Sequence, residues 1–146
     1  MNPEPLIIVL AEDDEGHAEL IRLNLERARV INEIVHLPDG QEALDYARRE
    51  GTYADRRQGL LVVLLDINMP RLDGVETLRQ LKADPRTAKI PVIMLTTTDN
   101  PQEIERCYEL GCNVYITKPV EYDRFCEALR ELGVFLQFVR VPHERE

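Results

Sequence analysis

A chain of 146 residues is long enough for one domain with a full core, and 44% hydrophobic with 31% charged residues is a globular balance in which no apolar run could cross a bilayer. Lys plus Arg 18 against Asp plus Glu 27 gives a net charge of −9, which opposes a polyanionic partner, and Met1-Asn2-Pro3-Glu4-Pro5 lacks the basic and apolar regions of a secretion signal. The expectation is a single cytoplasmic domain over residues 1–146 that binds neither nucleic acid nor membrane.

Along the chain, apolar runs alternate with amphipathic ones, the pattern of repeated strand-helix units. Leu6 to Ala11 is the first strand, stopped by Glu12-Asp13-Asp14. From about Glu15 to Arg29, Ala18, Ile21, Leu25 and Ala28 recur at helical spacing, with Asp14 as the expected cap. Ile34 to Leu37 is a short second strand whose polar flanks suggest an edge, and Gln41 to Glu50 a helix with Ala43, Leu44 and Ala47 inward. Gly51 to Gly59 reads as loop. Its neighbours Arg48, Arg49, Arg56 and Arg57 form a basic cluster broken by acids, read as solvated loop charge.

Leu60 to Leu65 runs apolar without alternation, as a strand covered on both faces does, and Asp66 ends it. Met69-Pro70 forbids further pairing, and Asp73-Gly74 marks the turn into a helix with Val75, Leu78 and Leu81 inward, ending near Asp84-Pro85. Val92 to Leu95 leads into Thr96-Thr97-Thr98. Ile104, Cys107 and Tyr108 line a fourth helix closed at Gly111, and Val114 to Thr117 is a fifth strand leading to Lys118-Pro119. The last helix, from Glu121, turns Phe125, Leu129, Leu132 and Leu136 inward and is expected to extend through residues 133–146 as helix and tail. The three cysteines contain no CxxC pair, which suggests reduced thiols, and His17, His36 and His143 are too scattered in sequence to suggest zinc.

Right-handed crossovers from five such units predict an α/β fold, a doubly wound five-stranded parallel sheet of order 2-1-3-4-5 with helices on both faces. That topology brings Glu12, Asp13, Asp66, Thr96 and Lys118 to one sheet edge. Three carboxylates there need a hard divalent cation, of which Mg²⁺ is the natural choice, while Lys118 and the Thr96 hydroxyl can hold phosphoryl oxygens. A glycine-rich phosphate cradle is missing from Glu12-Asp13-Asp14-Glu15-Gly16-His17, which disfavours a nucleotide site.

In order and spacing, Glu12-Asp13, Asp66-Ile67-Asn68-Met69-Pro70, Asp73-Gly74, Thr96, Tyr115 and Lys118-Pro119 resemble the receiver domain of two-component response regulators. The resemblance implies a flavodoxin-like receiver fold in which Asp66 accepts a phosphoryl group from the phosphohistidine of a sensor histidine kinase. Asp13 and Asp66 would bind Mg²⁺ directly, Glu12 through water and Asn68 through its backbone carbonyl. Lys118 and Thr96 would meet phosphoryl oxygens, Tyr115 would be an aromatic switch, and the Lys118-Pro119 bond would be cis. Such a protein is a stoichiometric acceptor and not an enzyme.

Gly51-Thr52-Tyr53-Ala54, Leu95-Thr96-Thr97 and Asn113 to Pro119, with the apolar tail, further resemble single-domain regulators paired with bacterial phytochromes, which implies a bacteriophytochrome as partner. No output module is expected after Pro119. Val134, Phe138 and Val141 form a second apolar row on the last helix, which serves either a homodimer or kinase contact or fuller local packing. Two other classes stay open. A phosphohydrolase of the haloacid dehalogenase type would need a second Asp where Asn68 stands, and a protein-interaction module that is never phosphorylated would have no use for Lys118 among the acids.

Overall fold

The computed structural model of the protein describes residues 5–141. Five strands, β1 (Leu6–Ala11), β2 (Ile34–Leu37), β3 (Leu60–Leu65), β4 (Val92–Thr96) and β5 (Val114–Thr117), form one parallel sheet in the order β2-β1-β3-β4-β5. Helices α1 (Glu15–Arg27), α2 (Gly40–Arg48), α3 (Gly74–Ala83), α4 (Pro101–Leu110) and α5 (Tyr122–Leu136) connect and follow them. The expected doubly wound architecture is observed.

Helices α1 to α4 each start where a short polar side chain satisfies a free amide of the first turn, whereas α5 follows Glu121 without a side-chain cap. Asp14, Asp39, Asp73 and Asn100 accept from His17, Glu42, Glu76 and Gln102 respectively. The α4 helix closes on Gly111, whose φ of 109° is readily available only without a β-carbon.

Alternation along the strands divides the core into two layers. Ile7, Val9, Leu61, Val63, Val92 and Met94 pack with α2, α3 and Cys107 of α4. Ile8, Leu10, Val62, Leu64, Ile93 and Leu95 pack with Ala18, Ile21 and Leu25 of α1 and Phe125, Leu129, Leu132 and Leu136 of α5. The central strands are apolar on both faces because both faces are covered.

Four readings of the sequence need correction. Tyr108 does not line the core: it is 48% exposed, and its hydroxyl accepts from the Tyr115 backbone N–H at 3.0 Å. Adjacent to Cys107, it falls one helical step off the buried stripe. Within the arginine cluster, Arg48 and Arg56 are docked and not merely solvated, since Arg48 pairs with Asp84 at 3.2 Å and Arg56 lies 4.7 Å over the Tyr46 ring, whereas Arg57 is exposed as expected. Helix α5 ends at Leu136, because Gln137 and Phe138 bond back three residues instead of four and the Gln137 side chain donates to the Ala28 carbonyl at 2.6 Å. The remainder of the expected tail, residues 142–146, lies outside the described residues. Finally, no peptide bond among the described residues is cis, so Lys118-Pro119 takes the trans form that is intrinsically favoured.

No helix among the described residues is long and apolar enough to cross a membrane.

Candidate functional site

Strand register builds the site. β1 and β3 pair without offset from Leu6 with Leu60 to Ala11 with Leu65, so the next residues, Glu12 and Asp66, leave the sheet side by side. The Asp66 amide still donates to the Ala11 carbonyl at 3.1 Å, and the Glu12 amide to Leu37 at 3.0 Å. Side-chain parity then decides which face each residue serves. Glu12 continues Ile8 and Leu10, Asp66 continues Val62 and Leu64, and Lys118 continues Val114 and Ile116, all on the α1–α5 side. Thr96 and Tyr115 have the opposite parity, that of Met94 and the α2–α4 side.

Lys118 is the hub. Only 3% exposed, its Nζ donates to Glu12 Oε1, lies 3.5 Å from Asp66 Oδ2, and lies 3.1 Å from His17 Nδ1. Its own amide donates to the Thr96 carbonyl at 2.6 Å, which ties the end of β5 to the end of β4. Glu12 is buried, and desolvation pushes its carboxyl up to about 7 against the opposing pull of Lys118. One Asp66 oxygen accepts from the Ile67 amide at 2.7 Å, leaving the other toward Lys118.

The structure brings together all the residues singled out at this rim, though not all into one contact. Carboxylate oxygens of Glu12, Asp13 and Asp66 lie within 4.8 Å of one another, with Asp13 exposed at the mouth. Glu12 and Asp66 share one ammonium, and the three clustered carboxylates offer only hard oxygen ligands; this set fits a divalent cation of the Mg²⁺ class and not a soft metal. Asn68 is exposed just past Asp66, and its side chain donates to Thr98 Oγ1 at 3.4 Å.

Thr96 is fully buried, and among the described residues no hydrogen bond joins it to Asp66. Its hydroxyl instead accepts from the Thr98 amide at 3.4 Å. The Thr98 carbonyl in turn accepts from the Tyr115 hydroxyl at 2.6 Å, so Thr96, the loop after β4 and Tyr115 form one chain of contacts. His17 was missed by sequence reasoning. Its place three residues past the α1 cap is legible, but its contact with Lys118 spans 101 residues and leaves no local signal.

Behind the site, Gly74 lets the start of α3 approach β3. A β-carbon there would lie 2.7 Å from Ile67 Cα and 2.8 Å from the Asp66 carbonyl carbon.

The family profile for the response regulator receiver domain matches residues 8–130. The chain is similar to the response regulator Rcp1 of Synechocystis, 36% identical over 117 residues that cover 80% of this chain and 78% of that protein. The crystal structure of the Mn(2+)-bound form of Rcp1 superposes with a TM-score of 0.87 at 30% identity, covering 97% of this chain and 100% of that one. The phosphorylated cyanobacterial phytochrome response regulator RcpA matches with a TM-score of 0.87 at 34% identity over 97% and 100% of the two chains. The bacteriophytochrome response regulator AtBRR matches at 0.72 and 39% identity over 99% and 100%.

Proposed function

Since the chain belongs to the response regulator receiver family, we propose that Asp66 accepts a phosphoryl group from the phosphohistidine of a sensor histidine kinase, one of the bacteriophytochrome type. The observation that carries this reading is the buried Lys118 ammonium held between Glu12 and Asp66 at the end of the central strand. A carboxylate oxygen of Asp66 forms the new P–O bond as the P–N bond to the kinase imidazole breaks. Transfer of this kind depends on positioning and charge neutralisation, so no separate base is needed.

Within that reaction, Lys118 meets a phosphoryl oxygen and Thr96 turns its hydroxyl to another. Asp13 and Asp66 directly, Glu12 through water and the Asn68 backbone carbonyl would hold Mg²⁺, which when bound would supply further positive charge against the phosphoryl oxygens. Because Thr96 is linked through Thr98 to Tyr115, a shift of Thr96 toward the added phosphoryl group pulls on the same loop that the Tyr115 hydroxyl holds. The protein is a stoichiometric acceptor: Asn68 offers no acid where a hydrolase of the dehalogenase type needs one.

Incubation with acetyl phosphate and Mg²⁺ followed by intact-mass measurement tests the reading. The wild-type chain gains one phosphoryl group and Asp66→Asn gains none. Uptake by Asp66→Asn, or continuous release of phosphate from many esters, overturns it. An unmodified wild type returns the protein to the class of pure interaction modules.

The last helix supports a homodimer. Val134 and Phe135 are each 52% exposed, Phe138 is 77% exposed, and Phe135 borders an apolar groove with Val114, Ile116 and Leu132. Val141, at the end of the described residues, is half-buried and contributes less. Val134 and Phe135 at the end of α5, with Phe138 in the turn just past it, give each copy the same apolar surface, which can pair with itself about a two-fold axis. Light scattering at high concentration gives a dimer for the wild type and a monomer for Phe138→Glu; a wild-type monomer both with and without phosphate refutes the dimer.

A further inference from the structure

We infer that His17 is a positioning residue for Lys118, an inference that rests on the phosphoacceptor reading of Asp66 and adds to it a residue outside the rim. A lysine ammonium has three N–H donors and no acceptor. Around Lys118 Nζ three acceptors are arranged: Glu12 Oε1, Asp66 Oδ2 at 3.5 Å and His17 Nδ1 at 3.1 Å. With Glu12 and His17 each engaging one donor, rotation about the Cε–Nζ bond is fixed, and the third N–H is directed at the Asp66 oxygen where the phosphoryl group would arrive. Without His17, one donor is free and the ammonium can turn about its bond to Glu12.

The partner roles follow from chemistry. Because Lys118 can only donate, Nδ1 must accept, and the neutral ring carries its proton on Nε2. His17 is itself held through both its backbone and its ring. Its backbone amide donates to the Asp14 carboxylate at 3.0 Å within the α1 cap, and its ring meets Phe125 of α5 edge-on at 5.8 Å. Phe125 is buried in the α1–α5 core layer, so the ring is backed by packed side chains. A histidine merely filling space there would require neither the Nδ1 orientation nor the hydrogen-bond distance.

Two variants separate acceptor from volume. Asparagine can place Oδ1 near the position of Nδ1, whereas leucine fills the space with no acceptor. The Lys118 ammonium is followed directly by lysine-selective proton–nitrogen NMR, and phosphoryl uptake by the acetyl phosphate assay. His17→Leu is expected to lose the slowly exchanging ammonium signal and to take up phosphoryl groups about tenfold more slowly, the loss of one hydrogen bond to a charged group. His17→Asn is expected to keep the signal and to stay within about twofold of the wild-type rate. In a Lys118→Ala background, His17→Leu is expected to add no further loss.

An unchanged ammonium signal in His17→Leu overturns the inference, as does an Asn variant as impaired as the Leu one, or an equal loss in the Lys118→Ala background. If wild-type protein gains no phosphoryl group, the phosphoacceptor reading fails by itself. The NMR comparison still decides whether His17 positions Lys118.

Discussion

Lys118→Ala is expected to slow phosphoryl uptake by roughly 10²–10³-fold, the effect of deleting one preorganised charge donor aimed at a reacting oxygen. The same substitution is expected to tighten Mg²⁺ binding, because a cation that competes for the Glu12 and Asp66 oxygens has been removed. Opposite signs in the two measurements are the signature. A Lys118 that served only to stabilise the fold would lower both together. In metal-free buffer the variant leaves two buried carboxylates without the one cation that reaches them among the described residues, which costs about 3–5 kcal/mol of stability, and Mg²⁺ is expected to restore much of it. Urea unfolding with and without Mg²⁺ measures that recovery; a variant as stable as wild type in metal-free buffer would show that Lys118 is not what holds the acids together.

Gly74→Ala is expected to destabilise the protein by about 3 kcal/mol and to impair Asp66 at the same time. The added methyl would strike the backbone of Asp66 and Ile67, whose atoms cannot swing aside as a side-chain tip can. Either α3 retreats from the sheet or β3 shifts its end, and each movement displaces the carboxylate from Lys118. A fall in the urea midpoint with an unchanged slope, accompanied by slower phosphoryl uptake, is the expected result. If uptake is unchanged in the folded fraction, the α3 start does not set the position of Asp66.

The fold was legible because its central strands are covered on both faces. Leu60 to Leu65 could be recognised without reference to any other part of the chain, and the reversal at Asp66, Met69-Pro70 and Asp73-Gly74 marked the site edge. Parallel topology then did the rest, since it brings every strand's carboxyl end to one rim. What escaped were contacts between side-chain tips on distant elements. Nothing in local periodicity links His17 to Lys118, or shows that Arg56 stacks on Tyr46. Tyr108 was misplaced for a related reason: a residue beside a buried cysteine on a helix lies at the border of the apolar stripe, where spacing alone decides neither way.

The Tyr108 hydroxyl has a consequence for how copies of this protein can meet. β5 is a sheet margin, a place where a foreign chain could ordinarily be annealed by main-chain bonding. With the Tyr115 amide already occupied by a phenol, any strand laid alongside must first evict that ring. Growth of the sheet from molecule to molecule is thereby discouraged, and polymerisation through this margin is guarded by a single aromatic residue.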